Sequence, residues 1–202
     1  MSIFGRSGKG NPSDWLVVGL GNPGPKYARS RHNVGEETVA LLARRWGTAL
    51  KGGRDNVLVA ETRFGEQRIV LAFPITFMND SGQAVNALVR RYRIESPEQI
   101  IVVQDELDLP PGEMKVKAGG GLAGHNGLRS IQQHLKSADF LRVRIGVGKP
   151  ESKEAGKGHV LSKVPKAERE LLDLRIADAA DAVELIITDG VDVAMLRFNG
   201  KQ

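Results

Sequence analysis

Apolar residues run along this chain in two alternating rhythms. From Trp15 to Leu20 they are continuous, as in a strand buried on both faces. Val34, Thr38, Leu41, Leu42 and Arg45 then recur at helical spacing until Gly47 stops them. Val57 to Arg63 and Arg68 to Phe73 read as a strand pair around Phe64-Gly-Glu-Gln, and Ala84, Val85, Leu88, Val89 and Tyr92 trace a second helix face. Ile100 to Gln104 is a short buried strand, with a further short segment at Met114 to Ala118. Leu141, Val143, Ile145 and Val147 alternate with Arg142 and Arg144, the period of two that marks a strand with one cationic face. Ala167, Leu171, Leu174, Ala182, Leu185 and Ile186 predict a long helix near the C-terminus.

Strands and helices interleaved in this order imply an α/β fold: a single three-layer domain with a twisted mixed, mostly parallel central sheet flanked by helices. The domain is expected over residues 15–200, with no internal repeat and no second domain. Residues 1–14 contain Gly, Ser and Pro and read as a flexible N-terminal extension.

Composition narrows the chemistry. The 202 residues include no cysteine, which excludes a disulfide framework, a thiolate nucleophile and a Cys-ligated zinc. No stretch resembles a signal peptide, and none approaches the ~20 apolar residues of a membrane span. A cytoplasmic protein with no membrane partner is therefore expected. The formal charge of +5 permits an anionic partner, and its distribution is sharper than its size. From Gly112 to Lys149 seven bases stand against two acids, and from Glu170 to Asp192 seven acids stand against one arginine. The chain reads as two-faced, with a basic side for a polyanion and an acidic back.

Gly19-Leu-Gly-Asn-Pro-Gly24 fits the dinucleotide-binding pattern after a strand. That fingerprint needs a helix opening directly from the glycine turn. Here Pro23 and Pro25 constrain the backbone, and helical periodicity resumes only near Asn33, so a dinucleotide-dependent enzyme is the weaker reading. Three further islands hold chemistry-bearing residues: Phe77-Met-Asn-Asp-Ser-Gly82, Gln104-Asp-Glu-Leu-Asp-Leu-Pro-Pro-Gly112, and the glycine loop ending in His125-Asn126-Gly127. Each puts Asn, Asp or His at the boundary of a regular element, where α/β proteins assemble sites. Each also has a plain structural alternative, with Asn79 or Asp80 capping a helix and Asn126 holding a turn.

Taken together, the islands resemble the bacterial peptidyl-tRNA hydrolase family. The matching segments are Gly19-Leu-Gly-Asn-Pro-Gly with Tyr27 and Arg31-His-Asn-Val-Gly35, Phe77-Met-Asn with Ser81-Gly82, Asp105-Glu-Leu-Asp-Leu-Pro-Pro-Gly112, Gly119-Gly-Gly with Gly124-His-Asn-Gly-Leu128, and Arg142-Val-Arg-Ile-Gly-Val-Gly148. The resemblance implies hydrolysis of the ester joining a peptide to the 3′-terminal ribose of tRNA, which recycles tRNA from peptides dropped during translation. It implies a monomer with no cofactor, no metal and no obligate protein partner. His32 falls at the general-base position and Asp105 at the acid paired with it. Asn22, Asn79 and Asn126 fall around the substrate, and the Asn22 position separates blocked peptidyl-tRNA from free aminoacyl-tRNA. Tyr27 and Phe77 match substrate-contacting positions. Met78 lines the peptide channel or fills the core, and His125 joins Asn126 at the substrate. Lys117 and Arg144 match positions linked to tRNA phosphate, with Lys115 in the same basic segment.

The residue chemistry runs parallel to that resemblance. Ester hydrolysis needs an activated nucleophile, a place for the oxyanion and a proton for the leaving oxygen. Without cysteine or a Gly-x-Ser-x-Gly elbow, activated water is the simplest nucleophile, and imidazole titrates close enough to neutrality to take its proton. His134 and His159 are expected to be structural or solvated. A divalent ion on Asp105, Glu106 and Asp108 is disfavoured, because the Leu-Pro-Pro context and the partnership with His32 explain that segment without one. Three positions depart from the family pattern: Gln104 where His or Tyr is common, Asp80 where an apolar residue is typical, and Ser30 where Thr is usual. None removes an expected catalytic group. The competing reading on the same fold is a non-catalytic RNA-binding protein, against which intact His32, Asp105, Asn22, Asn79 and Asn126 argue.

Overall fold

The computed structural model describes residues 12–150, 152 and 156–200. In chain order the elements are β1 (Trp15–Gly19), α1 (Val34–Arg45), β2 (Lys51–Gly52), β3 (Val57–Phe64), β4 (Gln67–Pro74), α2 (Ser81–Arg91), β5 (Ile100–Glu106), β6 (Met114–Ala118), α3 (Asn126–Leu135), β7 (Leu141–Gly146), α4 (Gly156–Leu161), α5 (Lys166–Asp189) and α6 (Val191–Asn199). The strands form one seven-stranded sheet in the order β2-β3-β4-β1-β5-β7-β6. β4, β1, β5 and β7 are parallel, while β2–β3, β3–β4 and β6–β7 pair antiparallel at the two edges. The expected mixed sheet is thus parallel in its centre.

The unbroken apolar run of β1 follows from its central place. Val17 lies in register between Leu71 and Ile101, and Val18 between Ala72 and Val102. Val17, Leu71 and Ile101 join the core under α1 and α5, whereas Val18, Ala72 and Val102 join the core under α2 and α3. A strand buried on both faces has no polar face to alternate with. The three layers are therefore α1, α5 and α6 on one side, the sheet, and α2 and α3 on the other.

The long helix α5 buries part of the expected face: Ala182 and Ile186 are buried and Leu185 packs against the core, whereas Ala167 is exposed at its N-terminal half. Leu172, Ile176, Ala179, Ala180, Val183 and Ile187 face the core, while Leu171 and Leu174 are exposed. Ala179, Ala180 and Ala182 on the packed face let α5 lie close to its neighbours, and of its N-terminal leucines Leu172 rather than Leu171 or Leu174 faces the core. Helices α4 and α6 are short and carry no clear periodicity. α6 nevertheless protects an edge: the Asn199 amide accepts from Val116 N and donates to Val116 O, both at 2.8 Å, closing part of the free side of β6.

The glycines of the first island are explained by close approach. A Cβ on Gly35 would lie 2.2 Å from Val103 O, and one on Gly19 would lie 2.1 Å from Gly35 O, so these two positions let α1 rest directly on β1 and β5. Since α1 starts only at Val34, after a separate turn at Arg31–Asn33, the glycine turn does not open into a helix as a dinucleotide site requires.

Residues 1–11 of the expected extension lie outside the described residues. Ser13 and Asp14, at its end, donate backbone hydrogen bonds to Tyr92 O and Arg68 O. The acidic back is partly neutralised: Asp173 pairs with Arg169 and Arg29, Asp178 with Arg175, and Asp181 and Glu184 with Arg45. No helix among the described residues is long and apolar enough to cross a membrane.

Candidate active site

Three parallel strands deliver the islands to one end of the sheet. β1 runs into Asn22, β5 carries Asp105 near its end, and β4 leads into the 3-10 turn Met78–Asp80. Outside the carboxyl ends of such strands, backbone and side-chain polar groups converge without interrupting the core. A cavity of about 540 Å³ opens there and is lined by Asn22, Tyr27, His32, Phe77, Met78, Asn79, Asp105, His125 and Asn126. All nine expected residues of the pocket are brought together.

At its floor two imidazoles share one carboxylate oxygen. His32 Nδ1 lies 2.8 Å from Asp105 Oδ1, and His125 Nε2 lies 3.0 Å from the same atom. His125 Nδ1 accepts from Gly127 N at 3.1 Å and Leu128 N at 3.4 Å, capping α3. Its proton therefore sits on Nε2 and points at Asp105. With Asp105 ionised, His32 also donates from Nδ1, which leaves its Nε2 as a lone-pair acceptor with no hydrogen-bond partner among the described residues. Burial alone would lower the His32 pKa, but the charge and hydrogen bond of Asp105 outweigh it and raise the pKa above the ordinary imidazole value. Burial would raise the Asp105 pKa, but the two histidines hold the carboxyl well below the usual carboxylate range.

Asn22 is oriented by partners on two sides. Its backbone N–H donates to Asn33 Oδ1 at 3.0 Å, and its carbonyl accepts from Asn33 Nδ2 at 2.9 Å. Its side-chain Oδ1 accepts from Met78 N at 2.9 Å, so the free end of the amide is the Nδ2 donor. Asn33 was not singled out from the sequence. It stands within the matched Arg31-His-Asn-Val-Gly35 segment, but only the fold shows that it faces Asn22 across the turn.

The other amides differ. Asn79 and Asn126 are exposed at the rim, and Asn79 Nδ2 approaches Asp80 Oδ1 at 3.4 Å. Asp80 occupies the N-cap position of α2 without a side-chain capping bond, and α3 is capped by His125 rather than Asn126. Neither Asn79 nor Asp80 makes a side-chain capping bond, and Asn126 is the first residue of α3; Asn79 and Asn126 line the cavity. Phe77 is 58% exposed for an aromatic ring, and Tyr27 is half-buried. Met78 lines the cavity while buried among the α2–α3 core. Gln104 points to the opposite face of β5 from Asp105, so that departure lies behind the site. Leu107, Val160 and Leu161 also line the cavity, although no sequence signal marked them.

The basic residues lie apart from the cavity. β6 and β7 set Lys115 opposite Arg144 and Lys117 opposite Arg142 on one sheet face. This face is less open than the alternation implies. Arg142 is buried and donates to the Gly121 and Gly119 carbonyls, clamping the glycine loop. Arg144 pairs with Glu106 at 3.0 Å, while Lys115 and Lys117 have no ion pair among the described residues. Glu106 and Asp108 bond to Arg144 and Lys149, and Asp105 to the histidines, so the three carboxylates turn to separate partners. His32, Asp105 and His125 offer metal-ligating atoms within 4.8 Å of one another, but a metal there would have to displace both imidazole protons that Asp105 accepts. His134 bonds to Ser130 O and His159 to Val147 O, both structural placements.

The family model described as peptidyl-tRNA hydrolase matches residues 16–202. A peptidyl-tRNA hydrolase from Frankia alni is 49% identical over 185 residues, covering 92% of this chain and 93% of the relative. One from Leifsonia xyli subsp. xyli is 50% identical over 187 residues, covering 92% and 96%. The crystal structure of peptidyl-tRNA hydrolase from Acinetobacter baumannii superposes with a TM-score of 0.89 at 41% identity, covering 96% of this chain and 99% of that one.

Proposed function

This chain belongs to the peptidyl-tRNA hydrolase family, and from that premise we propose how its own residues divide the cleavage of the peptide–tRNA ester. The protein is a hydrolase acting on peptidyl-tRNA, and the alternative of a non-catalytic RNA-binding protein has no support among these matches. His32 is the general base. Its Nε2 takes a proton from water as the water attacks the ester carbonyl, and then returns it to the ribose 3′ oxygen as that oxygen leaves. Asp105 keeps the proton on Nδ1 and stabilises the imidazolium formed in between. The observation that carries this reading is the 2.8 Å bond between His32 Nδ1 and Asp105 Oδ1 beneath an open cavity.

Asn22 reads the blocked amine. With Oδ1 engaged by Met78 N, the amide offers the substrate a donor. A peptide carbonyl can accept that hydrogen bond; an α-ammonium, which has only donors and a positive charge, cannot. Asn79 and Asn126 supply further amides to the oxyanion and peptide. Tyr27 and Phe77 stack on the terminal nucleotide, Met78 borders the peptide, and the ring of His125, with both nitrogens engaged, adds a wall. Lys115, Lys117 and Arg144 contact tRNA phosphate without reading sequence. Residues 15–200 form the working unit, a cytoplasmic monomer needing no cofactor or protein partner, with residues 1–14 as an appendage.

The test is cleavage of N-acetylated against free aminoacyl-tRNA, with no cofactor added. Wild type is expected to cleave the first and spare the second, and Asn22→Ala to shrink that preference by about 10²-fold, the order set by one mismatched buried hydrogen bond. An unchanged preference would remove Asn22 from this role. Lys117→Ala is expected to raise KM for intact tRNA and to reduce the slope of log KM against log salt by about one, as for one lost phosphate contact. An identical salt slope would count Lys117 out.

A further inference from the structure

We propose that Arg31 is a positioning residue: it tethers α4, one wall of the cavity, to the turn that carries His32, and so sets how that wall meets the peptide portion of the substrate. This rests on the substrate assignment above. Arg31 is only 6% exposed and commits its whole guanidinium to the C-terminal part of the chain. Nε and Nη2 form a fork to the two Glu168 carboxylate oxygens at 2.7 and 2.6 Å. Nη1 donates to His159 O and Ser162 Oγ, each at 3.1 Å. His159 belongs to α4, whose Gly156, Val160 and Leu161 line the cavity.

The tether acts on the wall more than on the base. The turn is anchored to the sheet without Arg31, through His32 to Asp105 and through the paired bonds between Asn33 and Asn22. Helix α4 has six residues, too few to be stable by itself. Among the described residues, its side-chain hydrogen bond to the rest of the fold is His159 Nε2 to Val147 O. Nη1 holds α4 through His159 O, and the fork to Glu168 of α5 fixes the guanidinium that carries Nη1, so loss of the fork loosens Val160 and Leu161 while His32 stays in place. Contacts from such a wall stabilise bound substrate and transition state alike, so their loss raises KM and spares kcat.

Glu168→Gln removes the charge but keeps the shape, and Arg31→Lys keeps the charge but loses the fork. Each is expected to raise KM for N-acetylated aminoacyl-tRNA roughly ten-fold, as for one lost apolar contact, with kcat changed less than about two-fold. The acid midpoint of kcat is expected to stay fixed. Hydrogen exchange of the free protein is expected to quicken at residues 156–161 and stay slow at residues 31–33. If Arg31→Lys fails to fold, Glu168→Gln carries both readouts. A fall in kcat with a shifted acid midpoint, or unchanged exchange over residues 156–161, would overturn the proposal. Because exchange is measured without tRNA, a wrong substrate assignment and a wrong tether fail separately.

Discussion

His32→Ala is expected to lower kcat on N-acetylated aminoacyl-tRNA by about 10²- to 10⁴-fold, the range for a general base, with KM changed far less. Removing the imidazole leaves water at its ordinary acidity beside the ester, while the amides that receive the oxyanion remain and sustain a residual rate. The fold should survive, because Asp105 keeps its hydrogen bond from His125 and Asn33 still holds the turn to Asn22. Single-turnover rates together with a thermal melt would check both halves. Equal rates for wild type and variant would remove His32 as the base. The wild-type pH profile has a defined sign. The neutral imidazole is the active form and Asp105 raises its pKa, so kcat should fall with acid through a midpoint above that of ordinary imidazole.

Much of this site was legible because its chemistry sits where regular elements end. Asn22, Asn79, Asp105 and Asn126 break apolar patterns at positions that can be read from one sequence. The fold then joins them by running β1, β4 and β5 parallel, so that their ends meet. What escaped reading depends on distant partners. Asn33 acquires its role only when the turn folds it against Asn22, and Arg31 only when α5 brings Glu168 beside it. Alternation correctly placed Arg142 on a strand, yet the glycine loop folds back over its guanidinium and converts a cationic face into an internal clamp. On α5 the reading held for Ala182 and Ile186 and failed for Leu171 and Leu174, where Leu172 and Ile176 take the packed side. Pro23 and Pro25 mark the same stretch in which the glycine turn runs on to a separate 3-10 turn at Arg31–Asn33 before α1 begins.

Asp105→Ala is expected to cost about 10³- to 10⁴-fold in kcat, because charge and acceptor vanish together and two imidazole N–H groups lose their partner. Asp105→Asn separates the two contributions. In a serine protease the corresponding exchange is ruinous because the amide permits the wrong histidine tautomer. Here both imidazoles address the same oxygen, Oδ1, and the cap on α3 fixes His125 as a donor to it. An asparagine with its oxygen in that place can still accept from both, and its NH2 group then takes the position of Oδ2. Orientation is kept and the charge is lost. The acid midpoint of kcat should then move down, since the carboxylate that raised the His32 pKa is gone. At neutral pH the variant should keep more activity than Asp105→Ala, with the remaining loss reflecting an imidazolium no longer stabilised as it forms. An asparagine variant as slow as the alanine one, with an unmoved midpoint, would show that the shared oxygen does not hold the tautomer and that the carboxylate acts chiefly through orientation.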